Sequence, residues 1–275
     1  MNATAIQTVR VDGIQLAYRA LGDGPAVLLL HGWPTSSFLW RAVMAPIAKT
    51  NRVIALDLPG FGASDKPVGT RYSFEFFGRM LDLFLADLGI DRIGLAVHDL
   101  GGPVGLHWTL QHPGRVTKLA LLNTLVYPEF SDATKEFVRA CMTPGLRENI
   151  TSASGLESIL RDGLADPGAL SKDVLAAVQE PFQTAEARRA LADAGIGLSM
   201  KGFVQIARQL PTLRMPVRVI YGVDDRVLPD VAETMARVKS DLPHAEVTAL
   251  QNCGHFLQEE KPEEVGALLA RFFAE

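Results

Sequence analysis

The run Leu95-Ala96-Val97-His98-Asp99-Leu100-Gly101-Gly102 passes from apolar residues to an acid and then to two glycines. A buried strand that turns sharply into a helix lifts the residue at the turn out of the backbone, and it needs a small neighbour two positions on, here Gly101. Asp99 is therefore a nucleophile candidate. Serine at such a turn would point to acyl transfer, whereas a carboxylate can displace a leaving group from saturated carbon and leave an alkyl ester on the chain. His255 is the base candidate, because an imidazole near its ordinary pKa both takes and returns a proton at neutral pH. An acid should fix its tautomer, and the pair Asp224-Asp225 offers one.

The elements that must position these groups are strand-like runs alternating with helix-like ones. Strands are predicted over Pro25 to Leu30, Arg52 to Asp57, Arg92 to Val97, Val116 to Asn123, Val217 to Gly222 and Ala245 to Leu250. Helices are predicted over Phe38 to Thr50, Ser73 to Leu88, Gly102 to His112, Val231 to Asp241 and Pro262 to Phe273. That alternation implies an α/β fold with a mostly parallel sheet flanked by helices. Thr8 to Ala20 adds a hairpin around Asp12-Gly13 and hence an antiparallel edge. From about Pro128 to Leu213 the strand signal disappears, which predicts an inserted helical cap over residues 128–213 between two parts of one core, 1–127 and 214–275. Sites in open parallel sheets form outside the carboxyl ends of the strands. His31-Gly32-Trp33-Pro34, Asp99, Asp224-Asp225 and Gly254-His255 all follow strands and converge on that rim.

Composition narrows the class of partner. A net charge of −4 with a pI near 5.9 gives no electrostatic reason to expect nucleic acid, and no lysine or arginine block suggests a membrane surface. A small-molecule substrate is expected. Met1 to Gly13 has no basic region leading into an apolar one, and no apolar run approaches the roughly 20 residues that span a bilayer, so a cytoplasmic chain is expected. The two cysteines, Cys141 and Cys253, are far apart and in no CxxC pattern, which indicates neither a disulfide framework nor a zinc site. His107 and His112 have no clustered partners for a metal, and the covalent chemistry needs no metal and no cofactor.

With these residues in place the chain resembles the α/β-hydrolases that use an aspartate nucleophile, most of all the haloalkane dehalogenases and next the epoxide hydrolases. The resemblance covers Ala20 to Pro128 and Pro216 to Phe273. It is carried by His31-Gly32-Trp33-Pro34-Thr35-Ser36-Ser37, by Asp57-Leu58-Pro59-Gly60-Phe61-Gly62-Ala63-Ser64-Asp65-Lys66-Pro67, by the turn at Asp99, and by Gly254-His255-Phe256-Leu257-Gln258-Glu259-Glu260. It implies Asp99 as nucleophile, His255 as base and Asp225 as its partner, since the acid in these families precedes a hydrophobic-Pro step, here Leu228-Pro229. Some dehalogenases carry the acid after an earlier strand, but the corresponding residue here is Asn123, which cannot take the charge. The backbone N–H groups of Trp33 and Leu100 are the expected oxyanion hole. His31 and His98 are expected to be structural, with His98 facing away from the nucleophile.

The chain departs from these families where the leaving group would be held. Resembling dehalogenases stabilise the halide with two side-chain N–H donors, one a tryptophan directly after the nucleophile and another an asparagine after His-Gly. Leu100 and Trp33 stand in those places, and the other tryptophans, Trp40 and Trp108, lie outside the cap. Trp33 is left as the halide donor. Resembling epoxide hydrolases protonate the ring oxygen with cap tyrosines, and the one stand-in here is Tyr127. Val97 leans against that alternative, because epoxide hydrolases usually carry glycine two before the nucleophile. The resemblance thus implies a hydrolase acting on carbon–halogen bonds, with epoxide hydrolysis or a non-catalytic ligand-binding relic as alternatives. No Gly-x-Ser-x-Gly pattern supports an esterase.

Overall fold

The computed structural model describes residues 5–274. Eight strands form one sheet: β1 (Ile6–Val11), β2 (Ile14–Leu21), β3 (Ala26–Leu30), β4 (Arg52–Leu56), β5 (Ile93–His98), β6 (Val116–Leu122), β7 (Val217–Gly222) and β8 (Glu246–Leu250), in the order β1-β2-β4-β3-β5-β6-β7-β8. From β4 to β8 every pairing is parallel, and β2 pairs antiparallel with both β1 and β4. The hairpin is the expected one: Val11 pairs with Ile14 across Asp12 and Gly13, which both have positive φ, as a two-residue turn matched to the strand twist requires. The chain has the α/β-hydrolase fold. Its middle strands β3 and β5, and β6 over residues 119–122, are covered on both faces, which is why those stretches read as nearly continuous apolar runs.

The core helices are α1 (Met44–Ile47), α2 (Phe74–Asp87) and α3 (Gly101–Gln111), followed after the sheet's second part by α10 (Val231–Asp241), α11 (Leu257–Glu260) and α12 (Pro262–Ala274). Where one helix was expected over Phe38 to Thr50, the chain forms a single 3-10 turn at Ser37–Trp40 and the four-residue α1. Pro46 explains the interruption, since it supplies no backbone N–H to continue a longer helix. Between β6 and β7 the described chain is helical: α4 (Asp132–Met142), α5 (Leu146–Ile150), α6 (Ala153–Asp162), α7 (Lys172–Gln179), α8 (Ala185–Ile196) and α9 (Met200–Gln209). All but α5 begin on a Ser or Thr whose hydroxyl accepts a first-turn N–H, from Ser131 at α4 to Ser199 at α9. Phe203 of α9 seats this region on the core, its ring 5.6 Å from that of Phe74. Among the described residues no helix is long and apolar enough to cross a membrane.

Candidate active site

Asp99 follows β5 with φ +49°, a conformation that aims its side chain away from the sheet. The turn is fixed by its own backbone: Asp99 N–H donates to Asn123 O (3.0 Å), while Asp99 O accepts from Gly102 N–H (2.9 Å) and the Thr124 hydroxyl (2.6 Å). A Cβ at Gly101 would lie 2.5 Å from His31 O and 2.6 Å from Leu30 O, and one at Gly32 would lie 2.2 Å from Asp99 Oδ1. Glycine at both places lets the loop after β3 touch the turn after β5. That approach puts the Trp33 N–H 2.7 Å from Asp99 Oδ1, and the Leu100 N–H also bonds the carboxyl group. Both expected oxyanion donors therefore converge on Asp99. His31 stands behind them, donating from Nδ1 to Gly32 O (2.9 Å) and accepting at Nε2 from Leu58 N–H (3.0 Å), which makes it a brace between two loops.

Asp225 rather than Asp224 faces the imidazole. His255 Nδ1 donates to Asp225 Oδ2 at 2.8 Å, and Asp225 Oδ1 accepts from the N–H groups of Val227 and Leu228, both at 2.8 Å. Because a carboxylate only accepts, the His255 proton sits on Nδ1 and Nε2 keeps its lone pair. Nε2 has no protein hydrogen bond and lies 3.6 Å from Asp99 Oδ2. That distance is too long for a direct bond and leaves Nε2 free to act on a third group.

Burial is the largest single influence on both residues, but it sets the direction only for Asp99. It pushes the Asp99 carboxyl upward, against the opposing pull of His255 and the two backbone N–H groups. For His255 burial alone would lower the pKa, but the Asp225 charge and hydrogen bond, with Asp99 beyond, outweigh it and leave the imidazole raised. Asp99 is one cause of that rise, so esterifying its carboxyl would remove a charge and make His255 a freer base.

Several partners of this set were not legible as such. Asn123, at the place where some relatives carry the acid, donates to Asp225 Oδ2 at 2.7 Å and accepts from Gly222 N–H at 2.9 Å, so it orients the acid instead of replacing it. His98 does leave the nucleophile's side, but it packs on the base: its Nε2 donates to His255 O at 2.9 Å, and burial followed by the His255 charge holds its pKa well below the usual value. No motif signals either contact, since each joins residues more than 100 positions apart.

Two expected donors have other partners in the structure. The indole N–H of Trp33, assigned to a halide, donates instead to Leu191 O in α8 at 3.1 Å, with the five-membered ring edge packed on Gly195. It thus ties α8 to the loop after β3. Tyr127, the stand-in acid for an epoxide, donates its hydroxyl to Asp241 in α10 at 2.7 Å, beneath the Arg237 guanidinium. The acceptor and the charge engage that phenol. Phe256, whose ring lies 4.9 Å from that of His255, also walls an apolar cleft with Leu39, Leu160, Leu164, Val174 and Val178, with free volume of about 20 Å³, enough for roughly one water.

Residues 25–152 match the family model of the alpha/beta hydrolase fold. A haloalkane dehalogenase from Sphingobium indicum is 32% identical, over 96% of this chain and 93% of the relative. The crystal structure of a haloalkane dehalogenase from Bradyrhizobium elkani superposes with a TM-score of 0.87 at 29% identity, covering 98% of this chain and 97% of the other. An epoxide hydrolase structure at 24% identity and a TM-score of 0.81, covering 98% of each chain, shares the fold.

Proposed function

The chain belongs to the haloalkane dehalogenase family of α/β-hydrolases, and from that premise we propose that it cleaves carbon–halogen bonds in small organic molecules through a covalent ester on Asp99. One observation carries the reading: the two oxygens of Asp99 have different surroundings, Oδ1 against the Trp33 N–H and Oδ2 toward His255. Oδ2 attacks the carbon bearing the halogen, a C–O bond forms, and the C–X bond breaks as halide leaves with the bonding pair. Oδ1 becomes the ester carbonyl oxygen, already among its donors. His255 Nε2 then takes a proton from water, which adds to Cγ of Asp99 while charge gathers on Oδ1 and is stabilised by the Trp33 and Leu100 N–H groups. Breaking the bond between Cγ and the alkyl-bearing oxygen expels the alkoxide, which takes the proton back from His255 and leaves as alcohol, and the carboxylic acid so formed on Asp99 loses its proton to restore the carboxylate. R–X and water thus give alcohol, halide and a proton.

The hydroxyl oxygen of the product comes from Asp99 and is replaced from solvent. A first turnover in oxygen-18 water should therefore give unlabelled alcohol, and a second turnover in ordinary water should give labelled alcohol. Label taken directly from solvent in the first turnover would sink the covalent route. Halide release measured beside diol formation on a mixed substrate panel tests the bond that is cleaved. The Tyr127 hydroxyl, committed to Asp241, supports halide over epoxide.

A further inference from the structure

The loop that carries His255 is held from outside the sheet. Residues 163–166 follow α6, and their backbone reaches back to the base: Gly163 O accepts from His255 N–H at 2.6 Å. Ala165 N–H donates to Glu260 Oε1 at 2.8 Å and Asp166 N–H to the same oxygen at 3.4 Å, while Glu260 Oε2 accepts from Gly254 N–H at 2.6 Å. One carboxylate therefore bridges the residue before His255 and a turn of the helical region. Leu164 O adds a bond from Arg226 Nη1 at 3.2 Å, next to Asp225. The two backbones are close enough that a Cβ at Gly254 would stand 2.4 Å from Gly163 O and 2.8 Å from Ala165 N. Glu259 faces elsewhere, taking Arg41 Nη2 at 2.7 Å from the 3-10 turn after β3. Adjacent glutamates thus anchor α11 to two different elements.

We propose that Glu260 is a positioning residue for His255, clamping turn 163–166 onto the histidine loop so that Nε2 stays directed at the Asp99 carboxyl. An ionised carboxylate suits the task because both of its oxygens accept, and charge-assisted bonds to backbone N–H groups are short and strong. Glutamine would offer one acceptor oxygen and turn an NH₂ group against N–H donors. Aspartate would keep the charge but fall a methylene short of spanning both donor sets. The kinetic arm of the test rests on the covalent route proposed above; the spectroscopic arm does not.

In the full-length protein, the low-field proton resonance of His255 Nδ1–H and the titration of the ¹⁵N-labelled imidazole report its pairing with Asp225 without any substrate. Glu260→Gln should broaden or abolish that resonance and move the titration downward, Glu260→Asp should restore part of both, and Glu259→Gln should leave both in place. An unchanged resonance and titration in folded Glu260→Gln would overturn the proposal, and if that variant does not fold, an unchanged Glu260→Asp would do so. With a halogenated substrate, the halide burst of Glu260→Gln should stay within about twofold of the parent while alcohol release falls by about 10²-fold, the scale of a misplaced catalytic group. Equal loss in both steps would mean a general structural role instead. A parent that releases no halide would defeat the dehalogenase reading, while the resonance and titration of the variants would still decide the role of Glu260.

Discussion

The hydrogen bonds that hold the Asp99 turn come from the core, whereas His255, 3.6 Å away, is held partly by the core and partly by the helices between β6 and β7. Every hydrogen bond that shapes the nucleophile turn comes from the ends of β3, β5 and β6: Trp33, Leu100, Gly102, Asn123 and Thr124. The imidazole side chain is held by Asp225 from the core, but the backbone N–H of His255 goes to Gly163 O and that of Gly254 to a glutamate shared with Ala165. Strand-end backbone is held by the sheet's ladders on both sides, while a turn of the helical region shifts with its helices. A change in that region should therefore disturb the base before it disturbs the nucleophile.

The sharpest test removes the nucleophile's charge. Asp99→Asn should cut turnover by about 10⁴-fold or more, because no other group takes the role. Stability should move the other way. Burial raises the Asp99 pKa in the folded chain, so between the unfolded and folded values the native state holds a proton that the unfolded state releases. Stability declines as pH rises through that window, and the ionised residue carries the cost at neutral pH. Asn, uncharged and still an acceptor for the Trp33 N–H, should raise the melting temperature by about 2–4 °C, the shift that ~1 kcal/mol gives in a chain of this size. Calorimetry showing a lower melting temperature would mean that the charge is compensated and the turn is less closed than its contacts indicate.

His255→Gln should separate the two ends. Its loss should slow ester hydrolysis by about 10³-fold while the halide burst survives, so an alkyl adduct accumulates on Asp99 and is visible by mass spectrometry. No adduct with a proven substrate would remove His255 from the second step. The same residue gives a stability signature of opposite sense to Asp99. Its folded pKa is raised, so the stability it adds is fully present below the unfolded value near 6.5 and is lost as pH climbs through the folded value. The destabilisation in His255→Gln should accordingly be larger at pH 6 than at pH 9 in denaturant melts.

A smaller effect is expected in the pH profile. The Asp99 carboxylate helps raise His255, and esterification removes that charge. The inflection for ester hydrolysis should therefore fall below the His255 titration measured in the resting protein by NMR. Coincident values would place His255 beyond the influence of the nucleophile.

The smallest effect belongs to the contact that joins the two regions. Trp33→Phe removes the indole bond to Leu191 O but keeps the backbone N–H on Asp99, and should cost about 1 kcal/mol of stability. Chloride and bromide affinity should stay as in the parent. Weakened halide binding would mean that the indole leaves α8 for the anion when one is present.

By itself the sequence determined the fold class and pointed to Asp99, Asp225 and His255, which the structure brings together. Local rules reach that far: apolar runs mark the doubly covered strands, Asp12-Gly13 marks the hairpin, and Asp99 with glycines two and three positions on marks a turn no bulkier pair could make. The loops at one end of a parallel sheet must share a rim, so Asp99, Asp225 and His255 could be brought together on paper. Tertiary structure decided where each donor went. Trp33 and Tyr127 were suitable in type and placed near the site, yet their N–H and O–H groups were claimed by Leu191 and Asp241. Asn123, His98 and Glu260 acquired their contacts to the acid and the base only through packing. A buried donor takes the acceptor that lies within about 3 Å of it, and which acceptor that is depends on how separate helices and loops stack, a relation that residue types and spacing do not encode locally.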